Sequence, residues 1–160
     1  MEFINKQGKT FQKIDKKITR WMAKRAITFI RLSIGILFFW FGILKFFPGL
    51  SPAEDLAINT IDTLTFGLFS QQLIISGLAA LEVFIGIALI FKLFLRETLL
   101  LLFIQMLGTI TPIFLFPEEV FTVIPYGLTL EGQYIVKNLI IFSGAIAVGA
   151  TVRGGKIKTE

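Results

Sequence analysis

The segment Gln72–Leu95, QLIISGLAALEVFIGIALIFKLFL, contains one acid, Glu82, and one base, Lys92. A helix of roughly 20 apolar residues crosses about 30 Å of hydrocarbon, so this stretch is long enough to span a bilayer. Three others match it in length and character: Ala26–Phe47, Thr98–Phe116 and Tyr134–Val152. The chain is 54% hydrophobic with a mean hydropathy of +0.78, more apolar than a soluble domain of this size. The expected fold is all-α. It is a four-transmembrane-helix bundle over residues 26–153, with a basic amphipathic segment at 1–25 and a short tail at 154–160.

The charges between the spans alternate in sign. Residues 1–25 carry eight basic and two acidic side chains. Lys92 and Arg96 lie between the second and third spans, and Arg153, Lys156 and Lys158 follow the fourth. The other two connections carry acids: Glu54, Asp55 and Asp62 in one, Glu118, Glu119 and Glu131 in the other. Basic loops stay cytoplasmic, so both termini are expected inside, with Asp62 and Glu119 outside. Phe11, Ile14, Ile18, Trp21 and Met22 recur at helical spacing among lysines, which predicts a helix lying on the anionic cytoplasmic leaflet. The bilayer is thus the first expected partner. Nucleic acid is not expected despite the net charge of +5, because the positive charge sits in the topology-setting segments. No cleavable signal peptide is expected, since the first apolar run is of spanning length and has no small-residue cleavage site.

The sequence contains no Cys and no His. Thiolate chemistry, zinc sites of the usual kind and histidine haem ligation are therefore not expected, and any redox role needs a bound molecule or a partner. No nucleotide-binding glycine motif is present; Gly144 and Gly149 fall inside a span and read as packing positions. These features lean against an enzyme.

Between spans one and two, Pro48-Gly49 ends a helix and Ser51-Pro52-Ala53-Glu54 reads as a capping box. Ala53, Leu56, Ala57, Thr60, Ile61, Leu64 and Leu68 then share one helical face, which predicts an interfacial helix over the mouth of the bundle. Pro112 is expected to bend span three.

Glu82 is the leading candidate for function. Counting at 1.5 Å per residue puts it about 15 Å deep, near the midplane. An acid there is costly and is a functional candidate by default, either as a ligand-binding or proton-titrating group. The competing reading is an interhelical hydrogen bond that locks the bundle. Ala79 and Gly86 share its face and allow a close helix approach. Gln105 lies at similar depth and is the expected partner, whereas Arg31 and Lys137 have to stretch to reach. A glutamine at Glu82 is expected to fold and insert normally but to lose function. Arg31, Gly35, Phe38, Gly42 and Lys45 form a stripe on span one. Arg31 and Lys45 are read as intramembrane structural charges, Arg31 pointing inward and Lys45 near the outer boundary; snorkelling to the interface is the competing reading for both and the favoured one for Lys45. Lys137 and Asn138 are read as the upper wall of an outward pocket whose floor is Glu82 and Gln105, with Thr109 between. Trp40, in the aromatic run of span one, is a candidate for stacking on a ligand ring, although an aromatic belt is the commoner use of such a run.

Several strings resemble one family. Phe39-Trp40-Phe41-Gly42, Lys45-Phe46, and Pro48 through Glu54 resemble the RclC/YkgB-like membrane proteins of reactive chlorine resistance. The likeness continues at Glu82-Val83 with Gly86, at Gln105-Met106 with Gly108-Thr109 and Pro112, and at Leu130 through Tyr134 with Lys137-Asn138. That family is similar in plan to the DoxX-like group, some members of which are linked to quinone-dependent oxidoreductases. The resemblance implies a bacterial inner-membrane protein with a role in stress, and supplies no mechanism.

Three functions follow as expectations. The first is a non-catalytic protein that binds a quinone-like or apolar molecule or docks a redox partner. The second is a proton-coupled transporter or channel using Glu82, which four spans support only in a homo-oligomer. The third is a membrane oxidoreductase subunit. A quinone is the cofactor considered, and no metal or haem is expected.

Overall fold

A computed structural model describes residues 2–155 and 157, with side chains from residue 11 onward. The side chains of Lys6 and Lys9, and residues Lys156 and Lys158, lie outside the described set. In chain order the elements are α1 (Glu2–Leu44), α2 (Glu54–Leu64), α3 (Gln71–Phe91), α4 (Leu95–Ile110), α5 (Pro112–Leu115), α6 (Pro117–Val120), β1 (Phe121–Val123), β2 (Gly127–Leu128), α7 (Leu130–Gly149) and a short 3-10 helix (Val152–Gly154). Four stretches are long and apolar enough to cross a membrane: Phe11–Leu44, Gln71–Phe91, Leu95–Leu115 and Leu130–Gly149. The chain is an all-α four-helix bundle with the make-up of a multi-pass membrane protein.

The amphipathic segment is not a separate helix. It runs unbroken into span one, because the sequence from Lys9 to Ile34 holds neither Gly nor Pro to stop it. At 43 residues α1 is about 65 Å long, twice the thickness of a hydrocarbon core. Its residues 11–26 are exposed, Phe11, Ile18 and Trp21 among them.

The bundle closes as a ring in which α1 packs on α3, α3 on α4, α4 on α7, and α7 on α1. The tightest crossing is α1 against α3, and glycine makes it possible. A Cβ added to Gly86 would lie 2.7 Å from Phe39 Cα; one added to Gly42 would lie 2.8 Å from both Glu82 Cβ and Val83 N. With no side chain there, the two backbones approach closely. Ile34, Phe38, Ile85, Leu89, Leu102 and Val148 belong to the core at the end carrying the basic turns. Leu56, Val120 and Ile135 form a second, smaller cluster at the acidic end.

Helix ends follow local chemistry, with some departures from expectation. Gly49 takes a positive φ of 75° just after α1, a conformation open to glycine. The capping box at Ser51–Glu54 does not form. Ala53 precedes α2 in the left-handed conformation, Ser51 Oγ reaches only Pro52 O at 3.4 Å, and Glu54 Oε2 accepts from Gly49 N at 3.3 Å. Pro112 interrupts span three as expected, separating α4 from α5. Span four begins at Leu130, four residues before Tyr134, because the Thr129 hydroxyl caps it by accepting from Gly132 N at 3.0 Å. The β1–β2 hairpin fills the loop before it.

Candidate functional site

Three polar side chains from different parts of the bundle meet. Glu82 projects from the middle of α3, Gln105 from α4, and Lys45 from the turn just after α1. Lys45 Nζ lies 2.7 Å from Glu82 Oε2, and Gln105 Nε2 donates to Glu82 Oε1 at 2.7 Å. The carboxylate therefore uses one oxygen for a cation and the other for an amide. The side chains of Lys45 and Glu82 are 10% and 11% exposed. Removing such charges from water is expensive, so the pair is stable there only because each compensates the other.

Gln105 is the partner the sequence suggests, but Lys45 is not. The snorkelling reading of Lys45 is overturned: its ammonium turns into the bundle. The reason is the glycine crossing. Gly42 rests on Glu82 itself, so Lys45, three residues on, stands within reach of that carboxylate. The signal was available, since Lys45 shares a stripe with Gly42, and Glu82 shares one with Gly86. Arg31 does point inward, away from this cluster. Its guanidinium donates to Leu89 O and, at 2.9 Å, to Ile90 O. These carbonyls belong to the last turn of α3, where helical acceptors run out of partners and a cation suits the dipole.

Above the Glu82 cluster lies a cavity of about 360 Å³. Lys45, Glu82 and Gln105 contribute to its lining, and so do Thr109 and Asn138. Asn138 Nδ2 donates to Thr109 Oγ1 at 3.2 Å, and Thr109 in turn donates to Met106 O at 2.9 Å, which ties α7 to α4 one turn from Gln105. The remaining wall is largely apolar, with Phe38, Phe41, Leu81 and Ile141 from the spans. The cover is α2. Ala53, Leu56, Ala57, Thr60, Ile61 and Leu64, the face expected to lie over the mouth, all line the cavity. Leu68, assigned to the same face, follows α2 and is exposed.

No family model, no curated protein and no solved structure matches this chain.

Two residues expected in the pocket lie outside it. Lys137 is exposed and sits over the Tyr134 ring, 4.1 Å from its centroid. Because α7 starts early, Lys137 falls two turns into the helix, on a face turned away from Glu82. Trp40 is 63% exposed and does not line the cavity. Its neighbour Phe41 does, packing edge-on against Tyr134 at 6.5 Å. One helical position separates the ring facing inward from the ring facing outward. Chemically, the cavity offers a cation, a carboxylate and an amide at one end and a mostly apolar wall elsewhere, broken by Thr60, Thr109, Glu131, Tyr134 and Asn138.

Proposed function

We propose that this protein binds a small, mostly apolar molecule within the bundle, with the polar end of that molecule at Lys45, Glu82 and Gln105. The observation that carries this reading is the cavity of about 360 Å³ that ends on a buried ion pair. Ligand pockets fall at roughly 300–1,000 Å³ and combine apolar walls with a few convergent polar groups. A purely structural lock needs the hydrogen bonds but not the empty volume beside them. The role is that of a binding or redox-accessory protein rather than a catalyst, since the chain brings no thiol or imidazole of its own.

The resemblance to the RclC/YkgB-like family supports the same place in the molecule. Lys45, Glu82, Gln105, Thr109, Pro112 and Asn138 come from strings far apart in sequence, and all line the cavity. We therefore propose a bacterial inner-membrane location and a part in protection against reactive chlorine or related oxidants.

Protein purified in mild detergent tests the binding proposal. Organic extraction followed by mass spectrometry should recover a small apolar molecule in near-equimolar amount. Gly108→Leu should abolish that recovery without unfolding the bundle. Gly108 lines the cavity, and a Cβ placed on it meets nothing within 4 Å, so leucine has open space to fill. Equal recovery from the wild type and Gly108→Leu, or none from the wild type, would overturn the proposal.

A further inference from the structure

The polar end of the cavity leaves two hydrogen-bonding capacities unused. An ammonium has three donors. Among the described residues, Lys45 Nζ donates one hydrogen bond, to Glu82. Gln105 has the opposite deficit. A carboxylate only accepts, so Gln105 must present its NH₂ to Glu82, and this assigns the amide orientation. The Gln105 carbonyl oxygen, Oε1, is left buried with no hydrogen-bond partner. Gln105 as a whole is 8% exposed. A buried acceptor without a partner is unfavourable and calls for a donor. Both residues bind the same carboxylate, through its two oxygens, and both line this end of the cavity, with Gln105 Oε1 itself covered. Charge is already balanced there, one cation against one anion.

We infer that the molecule bound is neutral and ends in a hydroxyl, as a phenol or a long-chain alcohol does. A hydroxyl is the smallest uncharged oxygen group that both donates and accepts, and it costs less than an amide to bury among apolar walls. Its hydrogen goes to Gln105 Oε1, and its oxygen accepts from Lys45 Nζ. Because Oε1 is covered, the Gln105 side chain has to give slightly toward the cavity it lines. An ether, ketone or quinone accepts only and leaves Gln105 unmet. A carboxylate accepts only and adds an unbalanced negative charge. This inference rests on the binding reading above and narrows it to a ligand class.

The test compares 4-hexylphenol with 4-hexylanisole, which share a body and differ in whether the oxygen carries hydrogen. Apparent affinities of both are measured by calorimetry for wild type and for Gln105→Met in the same micelles. The phenol-to-anisole ratio in wild type, divided by that in the variant, cancels partitioning into detergent. We expect a quotient of about two- to tenfold, the range that one net hydrogen bond supplies. If both compounds bind wild type and Gln105→Met with a quotient of one, the donor requirement is met by water and the hydroxyl inference falls while the cavity reading stands. If neither binds wild type more tightly than it binds Gly108→Leu, both readings fall. Should Gln105→Met not fold, the wild-type phenol-to-anisole ratio is divided instead by the ratio of the two compounds' partitioning into protein-free micelles, and a quotient of one again overturns the inference.

Discussion

Lys45 changes what substitution of Glu82 means. Read from the sequence, glutamine at this position keeps shape and hydrogen bonding and leaves the fold intact. In the structure that substitution strips a buried ammonium of its counter-charge, since Lys45 Nζ sits 2.7 Å from Glu82 Oε2. Removing one member of a buried pair costs about 3–5 kcal/mol, whereas removing both is often close to neutral. Glu82→Gln is therefore expected to unfold at markedly lower denaturant in micelles, and Lys45→Met combined with Glu82→Gln to recover most of the loss. Unfolding midpoints of the two single variants and the double variant check this. A Glu82→Gln protein as stable as wild type would mean that Lys45 escapes to the bundle surface once released.

Two elements decide whether the pair can form at all. α1 and α3 meet through Gly35, Gly42 and Gly86, and their separation sets the distance from Lys45 to Glu82. A methyl group at Gly86 would meet the Phe39 main chain, 2.7 Å from Cα, and main chain cannot rotate aside. Overpacking of this kind costs about 1–3 kcal/mol. Gly86→Ala should lower the unfolding midpoint accordingly. Gly77→Ala on the same helix, where an added Cβ meets nothing within 4 Å, should leave it unchanged or raise it through helix propensity. Equal effects at the two glycines would show that the crossing is looser than described. A third element, α2, bears on the cavity rather than on the pair. Its apolar face lines the cavity without a capping box, and packing through Leu56 and Ile58 holds it there in place of a side-chain cap.

Taken whole, the molecule has one acidic and one basic end. Glu54, Asp55, Glu118, Glu119 and Glu131 surround a shared surface depression beside α2, while Lys92 and Arg96 lie in the connection from α3 to α4, at the opposite end of those helices. Basic segments are retained in the cytoplasm. The proposed orientation therefore has both termini inside and the cavity cover facing out. Asp55 and Glu118 are both exposed, and the chain has no native cysteine to interfere. Single cysteines at these positions should react with an impermeant maleimide applied to intact cells after outer-membrane permeabilisation. Labelling that requires opening the inner membrane would reverse the orientation.

Much of the fold was legible in the sequence. Four spans, a proline break at Pro112 and an amphipathic α2 all follow from hydrophobic run length, helical periodicity and proline chemistry, which are local properties of the chain. Glu82 with Gln105 was legible because depth along a helix can be counted at a fixed rise per residue. Lys45, Lys137 and Trp40 were misplaced because rotation about a helix axis and the angle of a crossing are not counted in that way. Gly42 resting on Glu82 turns Lys45 inward, and Lys137 lies over the ring of Tyr134, its neighbour three residues back on α7, on the outer face of that helix. The cavity itself belongs to the tertiary structure alone. It is the space left where α1 and α3 pack as close as glycine allows while α2 closes the acidic end above them, and no single segment encodes a space between segments.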